Sequence, residues 1–114
     1  MKKAGCIALM PFPYTDLSQS KRRPVLLVRN LDQQKDDWLV CMISSQLHQA
    51  DPNLDWIVTP DTSEFKATGL KVASVIRLSR LAVLDGSLLL GKLGSITDQR
   101  LVKLKQQFSD WLLD

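Results

Sequence analysis

"CIALMPFPYTDLSQSKRRPVLLV", residues 6–28, sets two short apolar runs on either side of a polar stretch that holds prolines, hydroxyls and three consecutive cations. The first run, 6–12, reads as a buried strand, and Pro11 and Pro13 mark its end because neither has an N–H to give to a ladder. The second run, 24–28, reads as another strand, with Pro24 tolerated at its first residue. Lys21, Arg22 and Arg23 therefore stand at the entrance of a buried strand. Surface charge needs no such address, so a cation fixed there suggests a task.

The same pattern continues outward. "NLDQQKDD" is a hairpin connection to "WLVCMISS", 38–45, a third strand long enough to cross a core. "QLHQADPNLD" reads as loop, and "WIVTP" as a short strand stopped by Pro60. "TSEFKATGLK" fits about one and a half helical turns, with Thr62 or Ser63 as cap and Gly69 left-handed past the end. "SVIRLSRLAVL" is a strand, bent or interrupted near Ser79, and "SLLLGKLGSI" supplies the last one. Thr97 caps a helix whose apolar Leu101, Leu104, Phe108, Trp111 and Leu112 form the stripe of an amphipathic helix packed on a sheet. Many short strands and few helices in 114 residues indicate a mainly β fold: a small curled sheet or partly closed barrel with a C-terminal amphipathic helix.

Length and composition bound the function. A chain of 114 residues fits one domain spanning 1–114, and 45% hydrophobic with 24% charged residues excludes wholesale disorder. The apolar runs are too short to span a membrane or to make a convincing signal peptide, so the cytoplasm is the expected location. Cys6 and Cys41 lie in apolar runs without a CxxC or clustered histidines, which reads as core thiols and no metal site. Charge is segregated: residues 1–30 carry six Lys/Arg against one acid, 31–64 one against seven, and 65–114 eight against four. If the two basic ends meet in space they form a surface suited to phosphates; unrelated solvated side chains are the plainer alternative.

Familiar catalytic signatures are absent from the sequence. There is no phosphate-binding glycine loop, GxSxG or HExxH, and His48 is the single histidine. The acids Asp51, Asp55, Asp61 and Glu64 have no paired spacing for carboxylate-dyad chemistry. One reaction survives this inventory, because its substrate brings the nucleophile. In RNA the ribose 2′-hydroxyl attacks the adjacent phosphorus, and a protein need only stabilise the phosphate charge, move two protons and align the atoms. Arg23 suits the first task, since its fork binds two phosphate oxygens at any working pH and Pro24 fixes the backbone behind it.

"GCIALMPFPYTDLSQSKRRPVLLV" resembles the opening of the PemK/MazF family of toxins: a glycine before the first strand, a proline-aromatic end to it, a polar loop, and Arg-Pro leading into the second strand. "CMISSQL", "TGLKVASVIRLSRLAVLD" and "LGSIT" extend the likeness in the expected order over essentially the whole chain. The resemblance implies an SH3-like barrel with a C-terminal helix, a homodimer, no cofactor, and a metal-independent endoribonuclease that cuts single-stranded RNA at a short sequence. It also implies an antitoxin whose disordered acidic tail crosses the RNA groove.

The family's catalytic arginine and hydroxyl match Arg23 and Ser44. Arg23 would stabilise the crowded phosphate, and Ser44 would orient a phosphate oxygen or relay a proton. Period-2 alternation alone does not separate Ser44 from Ser45, because both faces of that strand are apolar. Gln46 would contact a base and Tyr14 stack one, while Lys21, Arg22, Ser74, Arg77, Ser79 and Arg80 complete the expected RNA-binding set. The chain also departs from its relatives. Ala4 and Ala82 stand where other members carry basic residues, and Ser79 stands where one branch places an acid two residues after its arginine. Two rival readings share the fold class: a gyrase poison of the CcdB type, similar in size and with an aromatic near the C-terminus (here Trp111), and a catalytically degenerate RNA-binding relative.

Overall fold

The apolar runs of the sequence become the strands of one antiparallel sheet. The computed structural model describes residues 2–11 and 22–114. Its strands are β1 (Cys6–Pro11), β2 (Arg22–Asp32), β3 (Asp37–Ser44), β4 (Trp56–Val58), β5 (Ser74–Asp85) and β6 (Gly91–Ser95). They lie in the order β4-β5-β3-β2-β1-β6. Two helices, α1 (Phe65–Thr68) and α2 (Asp98–Leu113), and two 3₁₀ turns at Leu47–Gln49 and Gly86–Leu88 fill the connections.

Both faces of the sheet are apolar. Leu26 and Val28 of β2 join Ile7, Cys41, Ile43 and Ile76 beneath Leu101 and Leu104 of α2. The alternate residues Val25 and Leu27 pack with Ala8, Met10, Trp38 and Val40 on the opposite side. This double burial explains why the strands read as near-continuous apolar runs. Cys6 and Cys41 are buried free thiols, and burial pushes the Cys41 thiol well above its ordinary pKa.

The sheet curls until its two edges meet through α1. That helix follows β4 at one edge and packs on β6 at the other. The approach is close enough that a Cβ on Gly94 would sit 2.2 Å from the Ala67 carbonyl oxygen, and one on Gly69 would sit 2.0 Å from that of Leu93. Gly69 also holds the left-handed conformation at φ 73°, closing α1 as the sequence predicts. The resulting half-barrel encloses the core beneath α2.

Several boundaries differ from the sequence reading. β2 runs on to Asp32, because Arg29 and Asn30 continue the pairing with β3 as far as the hairpin turn. In that turn Asp36 has φ 56°, and its carboxylate accepts from the Lys2 ammonium and, at 2.8 Å, from Trp38 Nε1. The Lys2 hydrogen bond first, and the Trp38 one second, hold the Asp36 carboxyl below its usual range. Neither Thr62 nor Ser63 caps α1; Glu64 occupies the N-cap, and the Thr62 hydroxyl donates to the Thr59 carbonyl at 2.8 Å instead. Thr97 caps α2 as expected, its Oγ1 accepting from the Arg100 N–H at 3.0 Å. The apolar stripe of α2 is only partly used. Leu101 and Leu104 are buried, Phe108 is half-buried, and Trp111 and Leu112 are exposed where the helix outruns the sheet.

Candidate functional site

The site forms where β2, β3 and β5 end together. Val25 pairs with Met42, and continuing that register to the strand ends sets Arg23 opposite Ser44. Opposed residues of an antiparallel pair share a face. Arg23 and Ser44 therefore lie on the side of Val25, Leu27 and Val40. Arg22, paired with Pro11, belongs to the other side. A cleft of about 530 Å³ opens here, with Arg22, Arg23, Ser44, Ser45, Lys71 and Ser74 in its wall.

Ser44 is buried at 4% exposure, and its hydroxyl is fully engaged. Oγ accepts the Gln46 N–H at 3.0 Å and donates to Gln49 Oε1 at 3.2 Å. Arg77, paired with Met42 and so on the same face, donates from Nη1 to the same Gln49 oxygen at 3.3 Å. Two donors from neighbouring strands thus converge on one point. The chain reaches that point from outside the sheet, through the 3₁₀ turn that ends at Gln49.

A buried carboxylate stands behind Arg77 without a hydrogen bond to it. The Asp55 side chain has 0% exposure, and its Oδ2 lies 3.9 Å from Arg77 Nε. It accepts the Asp51 N–H at 2.9 Å, the Ser79 N–H at 3.0 Å and the Ser79 hydroxyl at 2.9 Å. Ser79 has an N–H to give because the β3–β5 register jumps from Cys41↔Leu81 to Met42↔Arg77. Leu78, Ser79 and Arg80 fall in that jump, outside the ladder.

Eight of the ten expected site residues lie among the described residues. Arg23 and Ser44 come together on one face, and Arg77 joins Ser44 through Gln49. The exposed Gln46 reaches Ser44 with its backbone N–H. Ser74 lies in the cleft wall with its hydroxyl donated to the Val72 carbonyl at 2.9 Å. Ser79 spends both donors on Asp55, and Arg80 is exposed beside it. Tyr14 and Lys21 lie outside the described residues. The sequence reading missed Gln49, Asp55 and Lys71. It counted Ser79 as the loss of an acid, whereas Asp55 brings a carboxylate to Arg77 from 22 positions earlier in the chain.

Residues 3–112 match the family model of the PemK-like, MazF-like toxins of type II toxin–antitoxin systems. No curated protein matches the sequence. Among solved structures, an endoribonuclease in complex with its cognate antitoxin, from a mycobacterial species, has a similar fold with TM-score 0.69 at 15% identity, covering 98% of this chain and 95% of that one.

Proposed function

We propose that this chain, which belongs to the PemK-like, MazF-like toxins of type II toxin–antitoxin systems, is an endoribonuclease that cuts single-stranded RNA with the substrate's own 2′-hydroxyl as nucleophile. The observation that carries the reading is the register that sets Arg23 opposite Ser44 at the mouth of a cleft. In the step, the O2′–phosphorus bond forms and the phosphorus–O5′ bond breaks. The 2′-hydroxyl loses a proton and the departing 5′-oxygen gains one. The ends are then a 2′,3′-cyclic phosphate and a 5′-hydroxyl.

Each residue has a distinct role. Arg23 places fixed positive charge against the non-bridging oxygens, where charge accumulates as the phosphorus becomes five-coordinate. Ser44, fixed by the Gln46 N–H, orients one of those oxygens or relays a proton. Arg22, Lys71 and Arg77 grip flanking phosphates, and Gln46 is exposed beside the cleft for contact with a base.

A single-stranded RNA several nucleotides long needs a longer groove than one protomer offers, so two protomers are proposed to share it. The basic stretches at both ends of the chain suit an acidic antitoxin segment that competes with RNA, and the similar mycobacterial endoribonuclease is held by its cognate antitoxin. Cellular RNA as substrate implies action in the cytoplasm.

Incubation of the purified protein with a long single-stranded RNA in EDTA tests the reading. Cutting with cyclic-phosphate ends is expected. Recovery of 5′-phosphate ends would rule out attack by the 2′-hydroxyl. Binding without cutting would indicate a degenerate relative, and neither binding nor cutting would favour the gyrase-poison reading.

A further inference from the structure

We infer that Gln49 is a latch: its side-chain oxygen fills the place of a phosphate oxygen between Ser44 and Arg77, and substrate must displace it. The inference rests on the endoribonuclease reading for the identity of that substrate. Gln49 Oε1 accepts from the Ser44 hydroxyl at 3.2 Å and from Arg77 Nη1 at 3.3 Å. A hydroxyl and a guanidinium aimed at one oxygen are the donor set that suits a non-bridging phosphate oxygen, which carries more charge than an amide carbonyl and binds the same donors more strongly.

The rest of the site is built and held without Gln49. Arg77 is backed by the buried Asp55, which is itself tied to Ser79 and to the Asp51 N–H. Ser44 is fixed by the Gln46 N–H. Gln49, by contrast, is exposed and closes a turn of three residues, Leu47–Gln49. That turn is held by the Gln49 N–H on the Gln46 carbonyl at 3.0 Å and the Ala50 N–H on that of Leu47 at 3.1 Å, and neither bond uses the Gln49 side chain. Rigid donors facing a loosely held acceptor describe a subsite kept filled until a better acceptor arrives. The free protein thereby also avoids leaving the buried Ser44 hydroxyl without an acceptor.

The consequence is a substitution that improves binding. Both bonds to Gln49 are long, so their net worth is small, and Gln49→Ala is expected to tighten anion binding about three- to tenfold. Two probes read this directly by titration: inorganic phosphate, and a short single-stranded RNA carrying 2′-O-methyl ribose, which cannot attack its own phosphorus. Gln49→Ala should bind both more tightly than wild type. Gln49→Glu, whose carboxylate holds the same donors more firmly, should bind both more weakly. The gain from Gln49→Ala should vanish in an Arg77→Ala background, where the subsite has lost its cation. With cleavable RNA, KM should fall for Gln49→Ala while kcat stays within about twofold, since the latch acts before the chemical step.

Equal or weaker phosphate and RNA binding by Gln49→Ala overturns the latch, and so does a gain that persists without Arg77. The two readings fail separately. A wild-type protein that cuts RNA while Gln49→Ala shows no gain refutes the latch alone. A protein that cuts nothing, yet binds phosphate more tightly as Gln49→Ala, retains the subsite and refutes the nuclease.

Discussion

Replacing Asp55 by Asn should cost more stability than any other one-atom exchange at the site. The side chain is fully enclosed, and its two oxygens receive three hydrogen bonds while facing the Arg77 guanidinium at 3.9 Å. An amide keeps one oxygen for the Ser79 N–H. Its NH₂ group falls where Oδ2 accepted, so it opposes the Asp51 N–H and leaves it unsatisfied, while the Ser79 hydroxyl can turn to accept. The loss is one charge-assisted bond, the neutralised partner of a half-buried guanidinium, and the burial of an unpaired N–H. With each such loss at about 1 kcal/mol, the sum is about 3 kcal/mol. For a domain of this length that lowers Tm by roughly 10–15 °C. Urea denaturation of wild type, Asp55→Asn, Ser79→Ala and the double variant reads both the total and the coupling. Ser79→Ala alone should cost only about 1 kcal/mol, because its N–H remains. A cost below about 1 kcal/mol for Asp55→Asn would refute the claim that this enclosed carboxylate is an anchor of the site, and additive single effects would refute its coupling to Ser79.

Arg23→Ala should lower turnover about 10²-fold or more, as expected for loss of a preorganised charge stabiliser. Arg22→Ala should mainly raise the RNA concentration needed and reduce the salt slope by about one; the reverse ranking, in single-turnover kinetics against salt, would place the chemistry on the wrong side of β2. Arg100 grips Glu64 with two bonds of 2.9 and 2.6 Å and lies 4.3 Å above the Trp56 ring. The Arg100 hydrogen bonds hold the Glu64 carboxyl below its usual pKa. A lowered folded-state pKa means that this stability is present above the unfolded value and is lost as pH falls through the folded one. Glu64→Gln should therefore cost about 0.5–1 kcal/mol at neutral pH, and the difference should shrink below about pH 4. Urea midpoints across that range check the sign, and a difference independent of pH would show that the ion pair contributes nothing.

The strands were legible because burial on both faces writes them as apolar runs, and Arg23 stood out because a proline follows it near the start of one, although that strand begins at Arg22 rather than at Pro24. Ser44 was not separable from Ser45 by periodicity, since Trp38, Val40, Cys41 and Ile43 are buried on alternating sides; the cross-strand register selects Ser44. The far half of β2 was missed because Arg29, Asn30, Leu31 and Asp32 are polar or solvent-facing and carry no core signal. Trp111 and Leu112 follow the helical period correctly and still remain exposed, because the sheet ends before the helix does. Gln49 and Asp55 lie in a loop rich in polar residues, and their partners are 28 and 24 positions away. No local pattern marks which of several loop acids will be enclosed. The clue that was available is negative: a family position for an acid, filled here by Ser79, calls for a replacement from elsewhere in the chain.

The register jump in β5 has a mechanical side. Pairing with β3 is counted afresh on each side of Leu78, Ser79 and Arg80, so the half of the strand that carries Arg77 is in phase with Ser44 independently of the half that runs to Asp85. Length errors in the distal hairpin can be absorbed at the jump before they reach the site. The donor released there is a backbone group, indifferent to which side chain occupies the position, so the hold on Asp55 can outlast replacement of Ser79 itself. A β5 straightened by deletion of Leu78, Ser79 and Arg80 would keep Arg77 in phase with Ser44 but remove the backbone N–H that holds Asp55, leaving the arginine in register and its carboxylate untethered from the strand.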